Sequence, residues 1–377
     1  METKKRSSNL ELLRIVAMVM IIAFHIYRHC VSGQLTDPDS MERMGNGWFS
    51  VPLFYKKLLL LTVFSSFGRA GNVAFMTLTG YLMVAKGREV RLIPIAKKLL
   101  CQQGYAAVLL LLTSLFVFRR NPDSYTALTE VNLFNSMSWY VGYYFLVMLI
   151  ARLFLNRYLE NIDRRHYLMF LLALLCMTQF KWIIKLLNGV TGDLVILVTG
   201  VFLYALGGYI RRYQPFARVR TWAIFGVIAG IYALLFLSTY AGVQNRIQDY
   251  YQEASTDPFI QYIPNVGDNS IVAILLGLSL FELFRRLKMP CSRVINYIGG
   301  STFMIYLLHD NSFFYSLWDK QDWITLLAEH PMGFLLRYGI WTVRTFVYGL
   351  IAYLGYRLLC RLCRKAGVQR LFLKSNA

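Results

Sequence analysis

Ten apolar stretches, each near the length that crosses a bilayer, recur along this chain and fix the solvent it must fold in. They fall at roughly 12–30, 63–85, 99–118, 137–155, 167–187, 191–210, 221–240, 268–284, 294–314 and 334–356. Composition agrees: of 377 residues, 56% are hydrophobic and only 16% are charged, where a soluble domain carries about 25% charged. Mean hydropathy of +0.45 with 15% aromatics excludes disorder, a coiled coil and almost any water-soluble globule. The reading is an all-α bundle of about ten transmembrane helices, a multi-pass protein in the lipid bilayer of the cytoplasmic membrane. The basic start (Lys4, Lys5, Arg6) precedes the first apolar run, and no small-residue cleavage site follows it. The first segment is therefore expected to stay as a membrane helix.

Forty Lys+Arg against twenty Asp+Glu give a net charge of +20, which in a soluble protein would point to nucleic acid. Here the excess follows topology instead. With the N-terminus inside, the inner segments hold 26 Lys+Arg against five acids (Glu2, Glu89, Glu160, Asp163 and Glu282). Cytoplasmic loops are enriched in Lys and Arg in this way, so both termini are placed in the cytoplasm and no nucleic-acid partner is expected. Residues 357–377 read as a basic cytoplasmic tail on a single domain spanning 1–377. The outer loops (31–57, 119–136, 241–267 and 315–333) carry Trp, Tyr, Asn, Gln and acids, suited to interfacial anchoring or to a sugar face. Six scattered cysteines form no disulfide framework, and Cys360-x-x-Cys363 reads as an incidental helix feature. No metal site is expected.

Charged groups inside a membrane helix cost about 2.5–3.5 kcal/mol each on insertion scales, so each needs a reason. The first span begins Asn9-Leu10-Glu11-Leu12-Leu13-Arg14 and carries His25. Eleven positions at about 100° make three turns plus about 20°, placing Arg14 and His25 on one face about 16 Å apart. Glu11, three residues before Arg14, can pair with it. A guanidinium fork suits phosphate oxygens, and an imidazole can take a hydroxyl proton near neutral pH. A donor with a phosphorylated end and a reactive end some distance inward, such as acyl-CoA, fits that line. Alternatively, Arg14 snorkels and His25 bonds a neighbouring helix. His29 and Arg28 read as interfacial.

The second span contains Gly68-Arg69-Ala70-Gly71-Asn72, then Phe75, Thr79, Gly80 and Tyr81. Such a sequence suits close helix packing or a broken helix lining a cavity. Lys86, Arg88, Arg91, Lys97 and Lys98 follow it. That cluster fits positive-inside topology and also the docking of a polyphosphate donor. Further on stand Trp139-Tyr140 and Ser301 through Tyr306 to His309-Asp310.

Taken together these residues resemble the integral-membrane acyltransferase 3 family, whose members have ten membrane helices with an Arg, ten residues and a His in the first. The match runs from Ser8 through Arg14 to His25, and looks like the opening of bacterial surface-polysaccharide members. It continues through Gly71, Asn72, Phe75, Thr79, Gly80 and Tyr81, then Arg91-x-x-Pro94, Trp139-Tyr140, and Ser301 with Tyr306-Leu307-Leu308-His309. Two departures are Thr79, where a Ser is common, and Phe24, where relatives of this subtype often place another His. The second leaves His25 the only imidazole at the motif position and disfavours a two-His mechanism.

The resemblance implies transfer of an acyl group, acetyl from acetyl-CoA, to a hydroxyl of a cell-surface polysaccharide or its lipid-linked precursor. On this reading His25, Arg14 and Glu11 carry the chemistry, and Arg14, Arg88, Arg91, Lys97 and Lys98 hold the CoA phosphates. Arg69, Asn72, Trp139, Tyr140, Ser301, Tyr306 and His309 line the acceptor end. With no soluble domain after the tenth span, a stand-alone acyltransferase is expected. The rival readings are a transporter or flippase of a glycan or lipid-linked intermediate, which would usually show internal repeats not found here, and a non-catalytic assembly partner for polysaccharide synthesis. Oligomeric state is not legible in the sequence.

Overall fold

The computed structural model describes residues 7–35, 54–89, 91–118, 139–180, 183–185, 194–253 and 270–365. Every regular element among them is helical. In chain order the helices are α1 (Ser8–Ile26), α2 (Phe54–Met83), α3 (Leu92–Phe118), α4 (Trp139–Ile150), α5 (Arg164–Gln179) and α6 (Leu194–Tyr213). There follow α7 (Thr221–Glu253), α8 (Ile271–Arg286), α9 (Arg293–His309), the short α10 (Ser312–Trp318) and α11 (Trp323–Glu329), and finally α12 (Pro331–Lys365). A π turn at Tyr27–Val31 carries α1 on to Leu35, and another at Ala151–Leu155 carries α4 on to Asn161.

Within the described residues each expected span centres on one helix, the ninth (294–314) running past the end of α9 into α10, but length divides them. Seven, namely α1–α4, α6, α7 and α12, are long and apolar enough to cross a membrane. Helices α5, α8 and α9 are 16, 16 and 17 residues long, about 25 Å against a hydrocarbon core of about 30 Å. The fifth span, expected to reach 187, ends as a helix at Gln179, where Phe180 turns to extended backbone. At the other end, α12 continues through Lys365, so the first nine residues of the expected tail are helical.

Local chemistry sets several starts. Asp163, Ser270, Ser292, Asn311 and Asp322 each accept a backbone N–H three residues on, capping α5, α8, α9, α10 and α11. The His166 N–H bonded to Asp163 also holds that exposed carboxyl below the usual carboxylate range.

Helices α1, α2 and α6 form the centre, their apolar stretches 61%, 56% and 61% buried, whereas the α7 stretch is only 6% buried. Helix α2 packs most extensively on α6 and α1, and α9 lies between α1 and α12. Outward-facing Trp222, Phe225, Leu234 and Leu237 on α7, with Leu336, Val343 and Ile351 on α12, form an apolar exterior of the kind lipid covers. The glycines of the second span serve close packing within an unbroken helix. A Cβ on Gly80 would lie 1.9 Å from the Tyr204 carbonyl oxygen, and one on Gly207 2.1 Å from that of Thr77. Backbone therefore touches backbone where α2 meets α6. Beyond the π turn, the Gln34 side chain accepts from the Trp323 N–H at 2.9 Å and donates to Asp319 and Gln321, pinning α11 over that end of α1.

Candidate active site

The start of α1 is tied down by the first two motif residues. Ser8 Oγ accepts the Ser292 N–H at 2.7 Å and donates to Asn296 Oδ1 at 2.9 Å. Asn9 donates its amide to the Phe284 and Arg285 carbonyls at 3.0 and 3.2 Å, satisfying the end of α8. One turn on, the buried Glu11 carboxylate accepts from Arg14 Nη1 at 2.9 Å. Gly299 of α9 passes so close that a Cβ there would lie 2.5 Å from Glu11 Oε2.

This face of α1 walls a cavity of about 1450 Å³. Ser7, Glu11, Arg14, Met18 and Ile21 line it at three- and four-residue steps, a run of about 21 Å along the helix. Arg14 is joined there by Lys86, Lys98, Arg157, Arg211 and Arg285, with Glu160 as the second acid beside Glu11. Arg285 is oriented by Glu282, a 3% exposed carboxylate that accepts two of its N–H groups at 2.7 Å. Glu282 also accepts from Arg286 Nε at 2.6 Å, and Arg286 in turn donates to the Phe216 and Val219 carbonyls. Buried carboxylate and paired guanidiniums thus brace the turn after α6 while presenting one fork to the cavity. Toward Ile21 the lining changes to Asn72, Phe75, Tyr140, Tyr144 and Tyr306. The Tyr140 hydroxyl oxygen is buried there and finds no hydrogen-bond partner among the described residues. A second cavity of about 200 Å³, lined by Arg69, Trp139, Tyr143 and Thr199, shares Asn72 with the first.

One turn beyond Ile21 lies an imidazole cluster. His25 Nδ1 is 2.9 Å from His309 Nε2, the rings nearly parallel at 14° with centroids 4.9 Å apart. His309 is fully buried, and its Nδ1 is 3.0 Å from the Ile305 carbonyl oxygen. Asp310 Oδ1 lies 3.3 Å from His25 Nδ1 and accepts the Tyr315 hydroxyl at 2.6 Å. His29 stacks on Tyr315 with centroids 3.9 Å apart and holds Nε2 3.9 Å from Asp310. The same level of α1 is pressed by α2: Gly68 sits on Phe24, and the Arg69 guanidinium lies 4.8 Å over the Phe24 ring.

The structure sorts the residues singled out from the sequence. Arg14, Glu11, Lys98, Asn72, Tyr140 and Tyr306 line the large cavity, and Arg69 and Trp139 the small one. His25 and His309 line neither; they pair with each other just past Ile21. Arg91, just before α3, and Lys97, in its second turn, are exposed and do not line the cavity. Ser301 is buried, donates to the Ile298 carbonyl of its own helix, and lines neither cavity. The side chain of Arg88 falls outside the described residues. Lys86, from the basic cluster expected to suit a polyphosphate donor, lines the cavity; three further cavity cations, Arg157, Arg211 and Arg285, belong to basic segments that the sequence marks only as topology, and their convergence is a tertiary fact. His29, read as interfacial, joins the cluster, and the second imidazole that Phe24 removes from the motif is supplied by α9.

A family model described as an acyltransferase domain matches residues 7–355. No curated protein and no solved structure matches the chain.

Proposed function

The chain belongs to the acyltransferase 3 family, and from that premise we propose an O-acyltransferase of the bacterial cytoplasmic membrane that moves acetyl from acetyl-CoA to a hydroxyl of a cell-surface polysaccharide or its lipid-linked precursor. The observation that carries this reading is the gradient within the large cavity. Cations crowd one end, aromatic and amide groups line the other, and the paired imidazoles lie one helical turn further. Ligand cavities usually run to about 1,000 Å³ at most, so 1450 Å³ suits a long donor.

In this mechanism the CoA phosphates sit against Arg14, Lys86, Lys98, Arg157, Arg211 and Arg285, at the end the basic loops place in the cytoplasm. The neutral pantetheine arm lies along the face of α1 toward Ile21. There the thioester carbonyl accepts from the Tyr140 hydroxyl, whose burial without a partner otherwise costs about 1–3 kcal/mol. The acceptor hydroxyl comes to the Asn72 junction from the small cavity, between Arg69 and Trp139. His25 takes its proton as the alkoxide attacks the thioester, or first carries the acyl group itself. Replacing His25 by Ala is expected to abolish acetylation of membrane glycan, read as loss of acetyl mass in the glycan spectrum, while the protein remains inserted. Retained acetylation would sink this assignment.

A further inference from the structure

The His25–His309 pair carries an assignment of atoms. A carbonyl oxygen can only accept, so a neutral His309 gives its one ring proton, on Nδ1, to Ile305 at 3.0 Å. Its Nε2 is then a lone pair, and a lone pair 2.9 Å from His25 Nδ1 requires the proton to be on that nitrogen. Asp310 Oδ1, at 3.3 Å from the same Nδ1, is an acceptor as well and reinforces this choice. The remaining nitrogen of His25, Nε2, is left as its only lone pair.

We infer that His309 is a positioning residue: anchored on the Ile305 carbonyl, it fixes His25 as the Nδ1–H tautomer and so makes Nε2 the atom that takes the acceptor proton. The inference rests on the proposed role of His25 as base. The step balances within the two substrates. The acceptor O–H proton goes to His25 Nε2 and the oxygen forms a bond to the acyl carbon. The thioester C–S bond breaks, and its electron pair leaves on sulfur, which takes the proton back from Nε2 to give the free CoA thiol. While Nε2 holds the proton, His25 is an imidazolium whose Nδ1–H faces His309 Nε2 and the Asp310 carboxylate, both acceptors. The neutral and the charged ring therefore use the same partners, and no side chain need reorganise between them. The order of residues differs from a protease triad, but the logic of a base held in one tautomer by a second group is the same.

The test uses membranes containing the full chain, with acetyl-CoA as the probe and two readouts, release of free thiol and acetyl transferred to the membrane glycan. His309→Ala is expected to lower kcat by about 100-fold or more, the scale of general-base loss, with KM for acetyl-CoA changed less than about twofold because the donor cavity is untouched. His309→Gln places a carboxamide oxygen near the position of Nε2 and is expected to recover at least roughly a tenth of the wild-type kcat. Wild-type kcat in His309→Ala, with His25→Ala inactive, would overturn the positioning role and leave the base in place. His309→Gln as inactive as His309→Ala would overturn the acceptor assignment. An active His25→Ala would instead remove the base on which both depend.

Discussion

At the scale of residues, the proposed mechanism separates groups that hold the donor from groups that act on it. Arg14 is half-exposed to the cavity and already paired with Glu11, so its guanidinium is oriented before a phosphate arrives. A charge-assisted hydrogen bond is worth about 1.5–3 kcal/mol, so Arg14→Ala is expected to raise KM for acetyl-CoA roughly 10- to 150-fold with a smaller effect on kcat. Arg14→Lys keeps the charge but loses the fork, and an intermediate KM is expected. Tyr140→Phe removes only a hydroxyl oxygen placed at the far end. It is expected to lower kcat roughly 10- to 100-fold with KM little changed, by analogy with the loss of one oxyanion donor. Steady-state kinetics in membranes distinguish the two patterns, and a KM effect from Tyr140→Phe would place that residue with the phosphate ligands instead.

Among elements, the contact of α2 with α6 admits no side chain at Gly80 or Gly207, since each faces the other helix's backbone. Overpacking costs about 1–3 kcal/mol where side chains can yield, and backbone cannot. Gly207→Ala is expected to lower the Tm in detergent by several degrees, whereas Gly226→Ala, with nothing within 4 Å, should leave it unchanged. Equal Tm values for the two variants would show that the helices separate without cost. The same scale shows what the sequence could and could not carry. Helices were legible because apolar length is a local property, and Arg14 and His25 because helical spacing relates them within one element. His309 is 284 residues from His25, and no periodicity links them; only the approach of α9 to α1 does. The cavity cations come from α1, from the turn after α2 and from α3, α4, α6 and α8; the cluster after α2 was legible as a donor site, but the arrival of Arg157, Arg211 and Arg285 beside it was not, because no local pattern relates those helices. Three of the helices, α5, α8 and α9, are shorter than the bilayer core, and polar residues stand at both ends of each: Asp163 and Gln179, Ser270 and Arg286, Ser292 and Asp310.

For the whole molecule, the orientation expected from the basic loops is open to direct measurement. Cys291 is exposed in the turn between α8 and α9, one of the segments placed inside. With the other five cysteines replaced by Ser, a membrane-impermeant thiol reagent is expected to label Cys291 in inside-out vesicles and not in intact cells; the reverse pattern would invert the topology. The placing of the cations then has an electrical consequence. Each unit charge carried across a membrane exchanges about 2.3 kcal/mol with a potential of 100 mV. If every phosphate of the donor stops at the arginine and lysine end, the parts that travel deeper are a neutral thioester and a neutral arm. Turnover should then be indifferent to voltage: collapsing the potential of energised vesicles is expected to leave the rate of thiol release unchanged within about 20%, far below the change a single translocated charge would bring. A carrier of a charged glycan would slow or quicken with the field, so a voltmeter distinguishes the two kinds of machine without knowledge of the sugar.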